Sequence, residues 1–343
     1  MTDPTPPPSS ESTTSSARPP AKALCLVSGG LDSQLAVCVL REQGIHVEGV
    51  AFASPFFSPD SAIKAAKQLG IQLHVVDFTP EIAALLKHPP HGFGSCLNPC
   101  IDCHAAMIRK AGELLERDGF DFIATGEVLG QRPMSQRRDA LNIVQKDSGM
   151  AGRLLRPLSA QLLPETEPER NGLVDRARLL GLSGRNRKPQ LELAKRYGIV
   201  EFPSPAGGCL LTEPSYAKRL RNLMDHEGLD DVRLLRLLTH GRHFRLPGGT
   251  LAIVGRNKAD NDTVRAGMRG EDALVKPVEV PGATLLAVKP AEADMPAILG
   301  LCAAYSDGKA GDTVAIGVMR AASKPVPTPV VVPDRATYAP MMV

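Results

Sequence analysis

Aromatic side chains make up only 4% of this 343-residue chain. Recognition of single-stranded bases by stacking on aromatic platforms is therefore not expected to dominate its chemistry. No stretch approaches the ~18 consecutive apolar residues of a membrane-crossing helix, so no membrane span is expected. Residues 1–20 are rich in Pro, Ser and Thr and lack the apolar core of a secretion signal; they read as a disordered tail. Charge is nearly balanced, 40 Lys and Arg against 37 Asp and Glu, for a formal +3, which by itself selects no class of partner. The Gly-x4-Gly-Lys-Ser/Thr phosphate loop is also absent.

With no secretion signal, seven cysteines point to a reducing, cytoplasmic setting. There, clustered cysteines more often bind metal or do chemistry than form bridges. A 43% hydrophobic composition over this length fits a globular chain of two domains.

The most informative segment is Ser28, Gly29, Gly30, Leu31, Asp32 and Ser33. It lies between an apolar run, 23–27, and a helical pattern in which Leu31, Leu35 and Val39 share a face and Gly44 closes the turn. A strand, a glycine-rich turn and a helix form an anion site, because glycines let the backbone approach closely and the helix start offers unpaired N–H groups. Asp32 is consistent with phosphate binding when a metal ion lies between carboxylate and phosphate. The segment therefore points to ATP.

Further strands are expected over 47–53, 71–78 and 120–125, with a helix over 60–69. This alternation predicts an α/β fold with a doubly wound parallel sheet, its ligands at the C-terminal strand ends. Residues 88–104 read as a functional loop, and helices are expected over 173–180 and 189–197. A Pro- and Gly-rich turn over 202–209 presents Cys209. Farther on, strands over 244–246, 250–254, 273–275 and 284–288 with helices over 260–268 and 291–305 indicate a smaller C-terminal α/β domain. The expected division is a tail over 1–20, a nucleotide domain over 21–225, the small domain over 230–325 and an extended tail over 326–343.

Cys25 and Cys38, in the first strand and helix, read as core residues. Cys100 and Cys103 are three apart at a helix start, close enough to share one metal or cluster, and the helix dipole favours their thiolates. A third ligand must come from afar; Cys209 is the candidate, with Cys96 and His104 in reserve. Three uses are open: a [4Fe–4S] cluster on Cys100, Cys103 and Cys209, a Zn²⁺ site, or a metal-free persulfide carrier with a resolving partner.

The segment 28–33 resembles the PP-loop of the adenine nucleotide α-hydrolase superfamily, whose members adenylate a substrate oxygen and release pyrophosphate. That resemblance implies that Ser28, Gly29, Gly30, Asp32 and Ser33 hold pyrophosphate and Mg²⁺. Gly126-Glu127-x-Leu129-Gly130-Gln131-x-x-x-Ser135-Gln136 resembles the second nucleotide motif of tRNA 4-thiouridine synthases, adding Gly126 and Gln131 to the site. Asn98-Pro99-Cys100-x-x-Cys103 is similar to the cysteine loop of tRNA 2-thiouridylases, with Cys103 at the sulfur-handling position and Cys100 where Asp often stands. Arg156-Pro157-Leu158 fits the motif that follows the sheet in this superfamily. The similarity runs over about 22–215; neither an RNA-binding module ahead of the loop nor a rhodanese-like carrier behind it is expected.

Residues 241–247 and 254–261 resemble a small RNA-binding-associated domain of ribosome quality-control proteins. Lys218, Arg219, Arg221, Arg233 and Arg236 add positive charge upstream. The implied activity is an ATP-dependent RNA sulfurtransferase, with tRNA as the implied substrate, that adenylates a uridine oxygen and replaces it with sulfur from a persulfide carrier or sulfide. Asp32, Cys103 and Cys209 would be its catalytic residues. Two alternatives share the loop: ATP-driven amidation or ligation of a small molecule with structural zinc, and a nucleotide-binding RNA module without turnover.

Overall fold

A computed structural model describes residues 20–204, 208–320 and 326–343. The expected tail over 1–20 lies outside the described residues, Pro20 aside, as do positions 205–207 of the turn before Cys209. The chain divides into two compact units. One comprises the chain as far as Ala51, Ser61–His74 and Met107–Pro203. The other comprises Phe52–Asp60, Val75–Ala106 and Ser204–Val343.

In order come β1 (Lys22–Leu26), α1 (Leu31–Arg41), β2 (His46–Ala53), α2 (Asp60–Leu69), β3 (Leu73–Asp77), α3 (Thr79–Lys87), α4 (Cys100–Asp118), β4 (Phe122–Thr125), α5 (Arg138–Asp147), β5 (Leu154–Leu155), α6 (Glu167–Arg170) and α7 (Lys188–Arg196). The five strands order as β3-β2-β1-β4-β5, and β1 pairs in parallel with both β2 and β4. Ala23, Leu24 and Cys25 are completely buried, as a strand covered on both faces must be, and so β1 reads as a continuous apolar run. Leu31, Leu35 and Val39 of α1 face the same core. Strand order reverses on either side of β1, so the crevice past the ends of β1 and β4 is the topological switch point where α/β sheets bind ligands.

The remaining elements are α8 (Pro214–His226), α9 (Val232–Leu237), β6 (Arg242–Arg245), β7 (Leu251–Val254), α10 (Lys258–Ala266), β8 (Ala273–Pro277), β9 (Leu285–Val288), α11 (Met295–Ala304), β10 (Thr313–Arg320) and β11 (Val326–Val331). Their sheet, β11-β10-β8-β9-β7-β6, is antiparallel at every pairing. Its core is Phe244, Val254, Leu285, Ile298, Leu301 and their neighbours. The expected strands and helices of this region are present, and β10 is an addition. The stretch read as an extended tail supplies β11, paired along β10, and then Tyr338, buried in the same core.

Residues 173–180 do not form the expected α-helix. Asp175 accepts from the Ala177 N–H and closes a single 3-10 turn, Arg176–Arg178. The flanking backbone pairs instead with 157–161: Leu180 N–H donates to Pro157 O at 2.9 Å and Leu182 N–H to Leu158 O at 2.8 Å. The apolar spacing that suggests a helix is met by Leu173, Val174, Leu179 and Leu180, which reach the core from turns rather than from one helix face. Helices α3 and α5 are not marked in the sequence, and α4 begins at Cys100, with Cys103 one turn in.

Candidate nucleotide site and cysteine set

The first unit builds a polar cradle where β1 and β4 end. Gly29 has φ +84°, and a Cβ there would collide with the backbone of Ser61. A Cβ on Gly126 would sit 2.5 Å from Asp32 C and Ser33 N. Only glycine at 126 lets β4 end against the loop that follows β1, and only glycine at 29 lets that loop pass the start of α2. Steric demand thus brings the two sequence motifs together. Within the loop, Ser33 Oγ donates to Gly30 O at 2.8 Å, and Gln34 Nε2 donates to Gly29 O at 3.0 Å. Ser28 is exposed and its Oγ accepts weakly from Gly30 N–H at 3.4 Å.

Gln131 Nε2 donates to Asp32 Oδ2 at 2.7 Å, and Gln190 Nε2 donates to Gln131 Oε1 at 3.1 Å. Four polar atoms on these segments are buried with no partner among the described residues: Asp32 Oδ1, Gln136 Oε1, Arg187 Nε and Gln190 Oε1. Buried polar groups are normally satisfied, so such a set of orphans fits a site for a polar ligand. A carboxylate oxygen free of partners beside glycine-lined backbone suits ATP with Mg²⁺. Arg187 and Gln190 are absent from the sequence reading; a polar residue at a helix start 59 positions from Gln131 carries no local signal.

The loop after β4 is braced from below. Arg156 Nε donates to Glu127 Oε2 at 2.8 Å, Thr125 Oγ1 donates to the same oxygen at 3.0 Å, and Arg156 also reaches Gln145 Oε1 at 3.0 Å. Arg156 and Glu127 are both buried. The Arg-Pro-Leu motif therefore positions the loop through its arginine.

The second unit holds all three candidate cysteines. Asn98, buried, ties the loop together: its Oδ1 accepts from Cys96 N–H at 3.1 Å, its carbonyl accepts from Gly94 N–H at 3.0 Å, and its Nδ2 donates to Cys100 Sγ at 3.2 Å. Cys103 lies one turn into α4 beside Asp102, whose carboxylate is 2.6 Å from His91 Nδ1. Cys209 sits just before a 3-10 turn whose Leu210 N–H donates to Phe56 O at 3.0 Å.

Cys100, Cys103 and Cys209 act on one another electrostatically. Burial, and then the neighbouring Cys209, Cys100 and Asp102, push the Cys103 thiol far up. Burial pushes Cys209 up to about 11, reinforced by Cys100 and opposed by the Leu211 N–H. Among the described residues, however, no three His, Cys, Asp or Glu side chains gather closely enough to hold a metal ion. A set of thiols not gathered in this way does not fit a [4Fe–4S] or zinc ligand set, and no step is routed through one. Cys25 and Cys302 are buried in the two cores, and Cys38 packs partly against the first.

Of the basic residues upstream of β6, Arg233 is neutralised by Asp231 and Asp272. Arg219 is half-buried, and burial, with the charge of Arg256, lowers its pKa. Burial, with the charge of Arg219, also pushes His243 down to about 4.

Comparisons with known proteins match two separate stretches of the chain. Residues 20–161 match the family model for Thiamine biosynthesis protein (ThiI), and residues 241–333 match the NFACT protein RNA binding domain. Two separate stretches of the chain thus resemble two different families. It is 32% identical over 146 residues to a probable tRNA sulfurtransferase of Anoxybacillus flavithermus, covering 40% of this chain and 35% of that protein. It is 26% identical over 227 residues to the tRNA-specific 2-thiouridylase MnmA 1 of Syntrophus aciditrophicus, covering 60% of this chain and 56% of that protein. A tRNA-specific 2-thiouridylase MnmA of Sulfurimonas denitrificans is 34% identical over 120 residues, 32% of this chain and 35% of that protein. The matches thus span less than two thirds of each relative.

Proposed function

We propose that this ThiI-like, NFACT-like chain is an ATP-dependent RNA sulfurtransferase of the cytoplasm with tRNA as its substrate. The observation that carries the reading is the cradle in which Gly126 brings the end of β4 against Asp32, leaving one carboxylate oxygen buried and unpartnered. The ThiI-like match over the same residues and the names of the relatives support the choice of reaction.

In this reading a uridine carbonyl oxygen attacks the α-phosphorus of ATP, and the bond to pyrophosphate breaks. Ser28, Gly29, Gly30, Asp32, Ser33, Gly126 and Gln131 hold the triphosphate; Mg²⁺ bound at Asp32 would neutralise the leaving pyrophosphate. Positioning and charge stabilisation are the contributions asked of these residues. A cysteine persulfide then adds to the activated carbon and AMP departs. Attack by a second cysteine on the carrier sulfur forms a disulfide and frees the thiocarbonyl, and an external thiol reductant restores the pair. Cys103 is assigned the carrier role and Cys209 the resolving role. In this division, 21–225 activates the nucleotide and the domain over 230–325 contributes contacts to RNA phosphates.

Nucleoside mass spectrometry tests the reading, using RNA from a deletion strain complemented with wild-type or Cys103→Ser protein. A thionucleoside restored only by the wild type supports it. Unchanged thionucleosides in the deletion strain reject sulfur transfer to RNA and favour the ligase alternative. Iron and zinc analysis of anaerobically purified protein separates the persulfide route, which needs neither metal, from a cluster or zinc on Cys100, Cys103 and Cys209.

A further inference from the structure

We propose that Gln190 is a positioning residue that, through Gln131, sets the free oxygen of Asp32 for the cation of MgATP. The proposal rests on the reading of residues 28–33 as an ATP site. Three groups, Gln190 buried and Gln131 and Asp32 half-buried, form a chain with a defined polarity. Gln190 Nε2 donates to Gln131 Oε1 at 3.1 Å, and Gln131 Nε2 donates to Asp32 Oδ2 at 2.7 Å. An amide has one accepting and one donating end. Once Gln190 engages the oxygen of Gln131, the amino end is what faces the carboxylate. A half-turn of the Gln131 amide would set oxygen against carboxylate, so Gln190 blocks the unproductive orientation.

Asp32 Oδ2 is thereby occupied, while Oδ1 is buried and unpartnered. A hard divalent cation takes such an oxygen directly. Gln190 is 1% exposed, and its own Oε1 has no partner. A core serving only packing would place an apolar side chain there.

The approach of Gln190 is fixed by backbone. Gly184 N–H donates to Leu129 O at 2.7 Å and Ser183 bridges Leu129. Lys188 N–H then bonds Asn186 Oδ1 at 3.0 Å as α7 begins. This ties the start of α7 to the loop that carries Gln131. Groups that orient a metal-binding carboxylate typically change metal affinity 10- to 100-fold when removed.

The test is calorimetric ATP binding by the full chain at a series of Mg²⁺ concentrations. Gln190→Leu should raise the half-saturating Mg²⁺ concentration by about tenfold. Its thermal midpoint should not fall, since a half-satisfied buried amide is removed. Gln131→Leu should give a similar shift, and the double variant no larger one, because both act through one chain. Additive shifts, or a Gln190→Leu half-saturation within about twofold of wild type, would overturn the proposal while the ATP reading stands. Wild-type protein that binds no ATP at any Mg²⁺ concentration overturns the ATP reading and the proposal with it.

Discussion

The nucleotide cradle and the cysteine set are built on opposite principles. In the cradle, local sequence does the work: a strand end, two glycines that tolerate no Cβ and a helix start place Asp32 beside Gly126. The cysteine set has no such local program. Cys100 and Cys103 sit at one helix start, while Cys209 arrives from a position more than a hundred residues later, and among the described residues the three thiols influence each other without forming a set close enough to hold a metal ion. A site made of backbone can be read from a motif; a site made of side chains from distant segments can be read only as candidates.

That contrast can be broken by substitutions that separate nucleotide binding from sulfur chemistry. The largest expected effect is from Cys103→Ser or Cys209→Ser, each abolishing thionucleoside formation while leaving MgATP affinity at the wild-type value in calorimetry. Loss of ATP binding in either variant would show that the two sites are not separable. Next, Asp32→Asn should weaken Mg²⁺-dependent ATP binding by about 100-fold, with cysteine alkylation rates unchanged.

Stability offers a third comparison. Removing Arg156 leaves Glu127 buried without its cation, so Arg156→Leu should destabilise the protein by about 3 kcal/mol in urea unfolding. A loss under about 1 kcal/mol would show the pair to be dispensable.

The smallest effects are pH-dependent. Cys209 is raised to about 11 from an ordinary thiol value of 9.0. Its neutral form is favoured on folding, so its contribution is fully present below pH 9 and is lost as pH rises toward 11. The thermal midpoint should fall over that window, and less so in Cys209→Ser. His243 shifts the other way, from 6.5 down to about 4. Its contribution is present above pH 6.5 and lost as pH falls toward 4, so His243→Gln should flatten the acid side of the stability profile.

Much of the fold was legible because alternating apolar runs and glycine breaks mark a parallel sheet and its helices. Asp32, Gly126 and Gln131 were legible because their motifs sit at strand ends. What escaped was set by tertiary pairing: residues 173–180 carry helical spacing but form turns and one 3-10 turn, and the backbone at Leu180 and Leu182 pairs with 157–161. Strand β10 escaped too, and the Pro- and Val-rich stretch after it hid β11. Gln190 escaped for a related reason, since its meaning lies in which end of a distant amide it holds.

The proposed reaction uses ATP to replace an RNA oxygen with sulfur. The most direct measurement is the product balance when purified protein, MgATP, a persulfide donor, a thiol reductant and unmodified tRNA are combined. Equal amounts of AMP, pyrophosphate and thionucleoside are predicted, with no AMP formed when RNA is omitted. AMP and pyrophosphate released without sulfur entering RNA, or released in response to a small amine acceptor instead, would contradict it.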